Sequence, residues 1–136
     1  MIYTPDIKNV SGAKSNGFSF NKRLKSFSYA LEGIISFFAG GVHARIHLLA
    51  AIVVVIAGFY FRISGMEMIA IGFSIALVWI TEMINTAIEK CMDMITLEKH
   101  PQVKVIKDIA AGAVLIAAMA AIIVGAVVFI PKIFLL

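Results

Sequence analysis

Apolar positions Phe20, Leu24, Phe27, Leu31, Ile34 and Phe38 recur at spacings of four and three, while Lys22, Lys25, Tyr29, Glu32 and Ser36 fall on another face. The spacing predicts an amphipathic helix lying in the plane of a membrane surface, with its basic start in the headgroup layer. Gly40 and Gly41 end it. The pattern then changes from striped to continuous: residues 46–61, 66–88 and 109–130 are almost wholly apolar, which predicts three membrane-spanning helices. The first is short for a hydrocarbon core of about 30 Å, but Arg45 and Arg62 can snorkel from its ends and extend it. RISGM, between the first two spans, has room only for a tight turn, so they form an antiparallel hairpin. Residues 90–107 read as a longer polar connection containing Pro101. The third span is rich in Ala and Gly, which permits close helix contact in lipid. Residues 1–18, mixing Gly, Ser, Asn, Lys and Pro without period, read as a flexible cytosolic tail, and residues 19–136 as one membrane-embedded domain.

Composition sharpens this all-α membrane class. The chain of 136 residues is 61% hydrophobic and 15% charged, with a mean hydropathy of +0.98. One copy has too few helices for a large interior, so its apolar faces must meet lipid or other copies. The formal net charge of +4 does not point to nucleic acid, because the basic residues flank apolar segments and lack interleaved stacking aromatics. They set topology instead. Lys8, Lys14, Lys22, Arg23, Lys25 and Arg45 precede the first span, and Lys90, Lys99, Lys104 and Lys107 lie in the second loop, against Arg62 and Lys132 on the other side. A multi-pass protein of the bacterial inner membrane, with its N-terminus in the cytosol, is expected. No secretory signal opens the chain. GAKS at residues 12–15 is no phosphate loop, since Ile7 stands where the first glycine belongs and no strand precedes it. Cys91 reads as a small packed thiol.

One stretch breaks the apolar pattern. In TEMINTAIEKCMD, residues 81–93, the polar residues Glu82, Asn85, Glu89 and Asp93 fall at roughly 0°, 300°, 340° and 20° around a helix, on one narrow face. Glu82 lies about 24 Å along its span, near the cytosolic side. A carboxylate inside a membrane helix costs roughly 2.5–3.5 kcal/mol on insertion scales, so its presence points to function. Carboxylates and lysine beside both cytosol and lipid suit phosphoryl transfer from a soluble donor to a buried acceptor. The competing readings are ion pairing across an oligomer interface and a proton relay in a transporter; the cluster is off-centre and no inverted repeat is visible.

EMINTAIEKCMD, followed by KDIAAGAVLIAA at residues 107–118, resembles the small prokaryotic diacylglycerol kinase family over residues 20 to the end. RIHL at residues 45–48 and IPKI at residues 130–133 are similar to its undecaprenol kinase branch. The resemblance implies a homotrimer of three-helix protomers, each with an N-terminal surface helix, and active sites shared between protomers near the cytosolic interface. It also implies transfer of the γ-phosphate of ATP, with Mg²⁺, to a lipid hydroxyl. By the same resemblance Glu82 is the catalytic base and Asn85 its neighbour, Glu89 holds the metal of MgATP, Asp93 is a further polar residue of the nucleotide site, Lys107 binds phosphate beside Asp108, and Tyr29 lies near the adenine.

One departure stands out. The family usually carries a glutamate four residues before the Arg of RIH, as a second metal ligand, and an asparagine two residues after it; here these are Gly41 and His43. The expected function is ATP- and Mg²⁺-dependent phosphorylation of a membrane lipid alcohol, undecaprenol or diacylglycerol. The alternative is a degenerate member that binds lipid or acts as a scaffold. His43 and His47, at i and i+4, lack a third ligand and read as interfacial polar residues rather than a metal pair. His100 reads as a solvated loop residue.

Overall fold

A computed structural model describes residues 20–96, 98 and 100–134. The expected tail, with its GAKS stretch, lies outside them. Four helices follow one another: α1 Phe20–Gly40, α2 Val42–Tyr60, α3 Gly65–Ile95 and α4 Pro101–Phe134. Three of these, α2, α3 and α4, are long and apolar enough to cross a membrane. The protein is a multi-pass all-α membrane protein with an amphipathic helix ahead of its spans.

Two compact units divide within α1, the second beginning at Ile35. In the first, Leu24, Phe27 and Leu31 are exposed along the apolar stripe, and Ser28 Oγ donates to Glu32 Oε1 at 3.2 Å on the polar side. An apolar stripe left bare in one chain is what a surface helix presents to lipid. In the second unit α1 ends at Gly40, and the single non-helical residue Gly41 leads into α2. The Arg45 guanidinium donates to the Ala39 carbonyl at 2.6 Å. It thereby satisfies one of the carbonyls that every helix end leaves without an intrahelical partner.

The α2–α3 turn closes both helices locally. Arg62 adopts the left-handed region, with φ of 50°, while its N–H donates to Phe59 at 3.2 Å and that of Ile63 to Gly58 at 3.1 Å. Those two bonds are the Schellman pattern, in which glycine is the usual left-handed residue. Gly58 serves a different need, close approach: a Cβ there would stand 2.9 Å from Met68 Cε and 3.1 Å from Ile63 Cδ1. Replacing Arg62 by Gly removes a left-handed penalty of about 1 kcal/mol. We expect the Arg62→Gly protein to unfold at a correspondingly higher denaturant concentration in detergent; an unchanged or lower midpoint would mean that the arginine side chain outweighs its backbone strain. On the far side of the turn Ser64 and Glu67 form a capping box, Glu67 Oε2 accepting from the Ser64 N–H at 2.6 Å and Ser64 Oγ from the Glu67 N–H at 3.3 Å.

The helices run past the apolar segments that announce them. The expected connection of residues 90–107 shrinks to residues 96–100, because α3 continues to Ile95 and α4 begins at Pro101. Hydropathy marks where lipid begins, not where helical hydrogen bonding stops, and proline is favoured in the first turn of a helix. His100 therefore does more than sit in a loop: its Nδ1 accepts from the Gln102 N–H at 3.3 Å, at the start of α4. Cys91 is exposed rather than packed. Packing is closest between α3 and α4, where Ile71 and Val78 are buried on α3 and Ala110 and Ala117 on α4. Small residues on α4 allow that approach in the way expected of contacts within lipid.

Candidate active site

Two polar side chains are buried among the described residues, and both come from the stripe on α3. Glu82 is 6% exposed and Asn85 is 8% exposed. They face a cleft of about 480 Å³ whose walls are the last turn of α1, the first turns of α2, the cytosol-side half of α3 expected from sequence, and Ala111 and Val114 of α4. Glu89, one turn beyond Asn85, also lines it. Asn85 Nδ2 donates to Glu89 Oε1 at 3.3 Å. This bond aims one carboxylate and turns the amide oxygen the other way. Asn85 Oδ1 is buried and accepts no hydrogen bond. A buried acceptor without a donor is costly, by about 1–3 kcal/mol, so a ligand donor is the natural partner for this one.

The cleft draws on residues that sequence reading treated lightly. His43 and His47 project into it from α2, and Thr86 and Lys90 extend the α3 contribution beyond the original stripe. Thr86 and Lys90 stand four and eight residues after Glu82, at roughly 40° and 80° around the helix, so the cleft-lining face of α3 is wider than the acidic stripe suggests. The histidines could be placed only by knowing that the first turns of α2 pack beside this part of α3. Their i, i+4 spacing was the available signal.

The other expected site residues lie elsewhere. Asp93 Oδ1 accepts from Lys107 Nζ at 2.5 Å, a bond that bridges the end of α3 and the start of α4. Asp108 pairs with Lys104 within α4, not with Lys107. None of these three lines the cleft of Glu82. Tyr29 is exposed on α1. Gly41 does line the cleft, with an extended backbone at φ −113° and ψ 134°. A Cβ at that position would meet Ala44 Cβ at 3.5 Å, ordinary contact distance, so the site has room for a side chain.

Magnesium commonly takes one or two protein carboxylates and completes its shell with phosphate oxygens and water. The cleft fits that pattern and not a closed protein cage: Glu89 is an available carboxylate, and no three His, Cys, Asp or Glu side chains converge among the described residues. A metal here would arrive with a phosphate ligand.

Known proteins are similar to this chain in sequence. The chain is 37% identical over 120 residues to the undecaprenol kinase of Bacillus subtilis, a match covering 88% of this chain and 98% of that one. It is 37% identical over 109 residues to a diacylglycerol kinase of Synechocystis sp., covering 79% of this chain and 62% of that one. A diacylglycerol kinase of Pseudomonas aeruginosa is 31% identical over 94 residues, covering 69% of this chain and 76% of that one. The profile of prokaryotic diacylglycerol kinase matches residues 28–129, a span that holds the cleft, α2, α3 and α4 as far as Phe129. On these grounds the chain belongs to the prokaryotic diacylglycerol kinase family.

Proposed function

We propose that the protein transfers the γ-phosphate of ATP to the hydroxyl of a membrane lipid alcohol at the cytosolic edge of the bacterial inner membrane. The observation that carries this reading is the buried pair Glu82 and Asn85 facing a cleft, with an unpaired amide oxygen in its wall. Family membership supports the lipid-kinase class, and the charge asymmetry of the loops supports a cytosolic N-terminus.

In this mechanism the lipid hydroxyl enters beside Glu82. As its oxygen bonds to the γ-phosphorus, its proton passes to the Glu82 carboxylate and the bond to the bridging oxygen of ADP breaks. A general base positioned in this way contributes about 10²–10⁴-fold. Asn85 aims Glu89 through the observed hydrogen bond and offers its free oxygen to a ligand donor. Glu89 would hold Mg²⁺, which supplies neutralisation of phosphate charge when bound. Lys90 is the cation that lines the cleft itself. Lys107, tied to Asp93, would meet phosphate only by exchanging that partner, and Asp108 and Tyr29 belong to the nucleotide site only as the family resemblance assigns them. Large exposed apolar surface on every span supports assembly of the helices into the homotrimer that the resemblance implies.

The test is phosphate incorporation from labelled ATP into undecaprenol and into dioleoylglycerol by the detergent-purified protein, with and without Mg²⁺. Metal-dependent transfer to either lipid is expected. A folded protein that labels neither would favour the scaffold reading, in which Gly41 has cost the site its metal affinity.

A further inference from the structure

Three kinds of ligand atom meet in the polar cleft. α3 contributes the Glu89 carboxylate and the Asn85 amide oxygen, and α2 contributes the His43 imidazole from its first turn. The hydrogen bond from Asn85 Nδ2 to Glu89 Oε1, 3.3 Å long, fixes the amide so that its Oδ1 turns away from the carboxylate. That oxygen is buried, on a residue only 8% exposed, and accepts nothing. A buried oxygen in this state calls for a donor or a cation, and a water held by a metal ion is such a donor.

His43 lines this cleft alone, whereas His47, one turn on, is shared with an apolar groove between α2, α3 and α4. Side chains lean toward the N-terminus of their own helix. Because α2 and α3 run antiparallel about the turn at residues 61–64, His43 leans away from that turn while Asn85 and Glu89 lean back toward it. Counted from the turn, His43 stands about 27 Å along α2 and Asn85 about 32 Å along α3, an offset of about one helical turn that the lean closes. Gly41 brings no side chain to the same wall, so α2 offers the cleft imidazole nitrogen and no carboxylate.

We infer that His43 gives an imidazole nitrogen to the metal ion of the metal–nucleotide complex, completing with Glu89 and Asn85 a mixed nitrogen and oxygen set that favours a divalent transition metal, Mn²⁺, over Mg²⁺. The inference rests on the kinase reading above for the nucleotide, and on the cleft alone for the ligand set. It needs one imidazole and one carboxylate, not the closed protein cage that the described residues lack; phosphate oxygens and water fill the other positions. Mg²⁺ is a hard ion that gains little from imidazole, whereas first-row transition ions take imidazole and carboxylate together. Mn²⁺ keeps the octahedral shell that suits phosphate oxygens and adds affinity for the nitrogen. Lys90, on the α3 wall, is left to phosphate.

The experiment reads the metal directly. The detergent-purified full chain, labelled with ¹⁵N-histidine, is loaded with Mn²⁺ and β,γ-methylene ATP, which cannot be turned over, and measured by electron–nuclear double resonance. A ¹⁵N coupling from directly bound imidazole is expected in the wild type and its loss in His43→Asn. The dissociation constant of Mn²⁺, from its electron paramagnetic resonance signal with the same nucleotide, should rise about tenfold or more in His43→Asn, since residues that only orient a ligand already change metal affinity by that much. The Mg²⁺ constant, from calorimetry with that nucleotide, should stay within about twofold.

No histidine coupling in the folded wild type, a coupling that survives His43→Asn and disappears in His47→Gln, or equal losses of Mn²⁺ and Mg²⁺ affinity in His43→Asn would each overturn the assignment. The wild-type spectrum needs no variant, so the test stands even if His43→Asn fails to fold. Histidine-bound Mn²⁺ in a protein that phosphorylates no lipid alcohol would sink the kinase reading while upholding this site; phosphorylation with a metal that shows no histidine coupling would do the reverse.

Discussion

Glu82→Gln is expected to reduce turnover by about 10²–10⁴-fold, the contribution of a well-placed general base. The substitution keeps the size and hydrogen-bonding reach of a side chain that is 6% exposed, and removes only the charge and the capacity to take a proton. Because it also removes the cost of burying a carboxylate, the variant should fold at least as stably as the wild type. The comparison therefore needs the kcat of the purified variant together with its size by light scattering in detergent. Turnover above about a tenth of wild type, in a particle of unchanged size, would show that another group accepts the proton. A collapse in activity accompanied by loss of the particle would instead locate Glu82 in assembly.

Gly41→Glu should have the opposite sign. Gly41 lines the cleft with Glu89, its backbone is in the extended region open to any residue, and a Cβ there meets nothing closer than Ala44 Cβ at 3.5 Å. A carboxylate added at this point faces the space where a metal-bearing phosphate would lie, and also stands at the start of α2, where unpaired N–H groups favour negative charge. We expect the half-saturating Mg²⁺ concentration to fall about tenfold, equivalent to about 1.4 kcal/mol. Titrating activity with Mg²⁺ at fixed ATP measures it. Gly41→Gln, which stiffens the backbone equally but adds no charge, separates ligand chemistry from conformational effects. No shift in the glutamate variant would mean that water or phosphate oxygens already complete the shell.

The α3 stripe was readable from sequence because one helix supplies all of it: a fixed rotation per residue aligns Glu82, Asn85 and Glu89, and the surrounding apolar residues make them conspicuous. The helix count and the hairpin turn were readable for a similar reason, each being decided within a few neighbouring residues. What stayed hidden depends on which helices meet. His43 and His47 acquire meaning only when the first turns of α2 lie against α3, and Lys107 acquires Asp93 as a partner only when the ends of α3 and α4 are brought together. Helix ends were misjudged where polarity was taken for irregularity; residues 90–95 and 101–107 carry Lys90, Asp93, Lys104 and Lys107 and are helical nonetheless. Cys91 shows the limit of residue-type averages, since a small thiol is commonly packed but this one is exposed.

The α2–α3 turn has a consequence for how the chain enters a bilayer during synthesis. Backbone polar groups cannot be left without partners in hydrocarbon, and here the Schellman bonds close the end of α2 while Ser64 and Glu67 close the start of α3. The loop between the first two spans thus carries its own hydrogen-bond partners and waits for no later segment. α2 and α3 can be delivered to lipid as a finished pair while α4 is still being translated. When α4 follows, Lys132 near its end reaches Glu67 Oε1 at 3.5 Å, so the residue that opened α3 becomes the latch for the last helix to arrive.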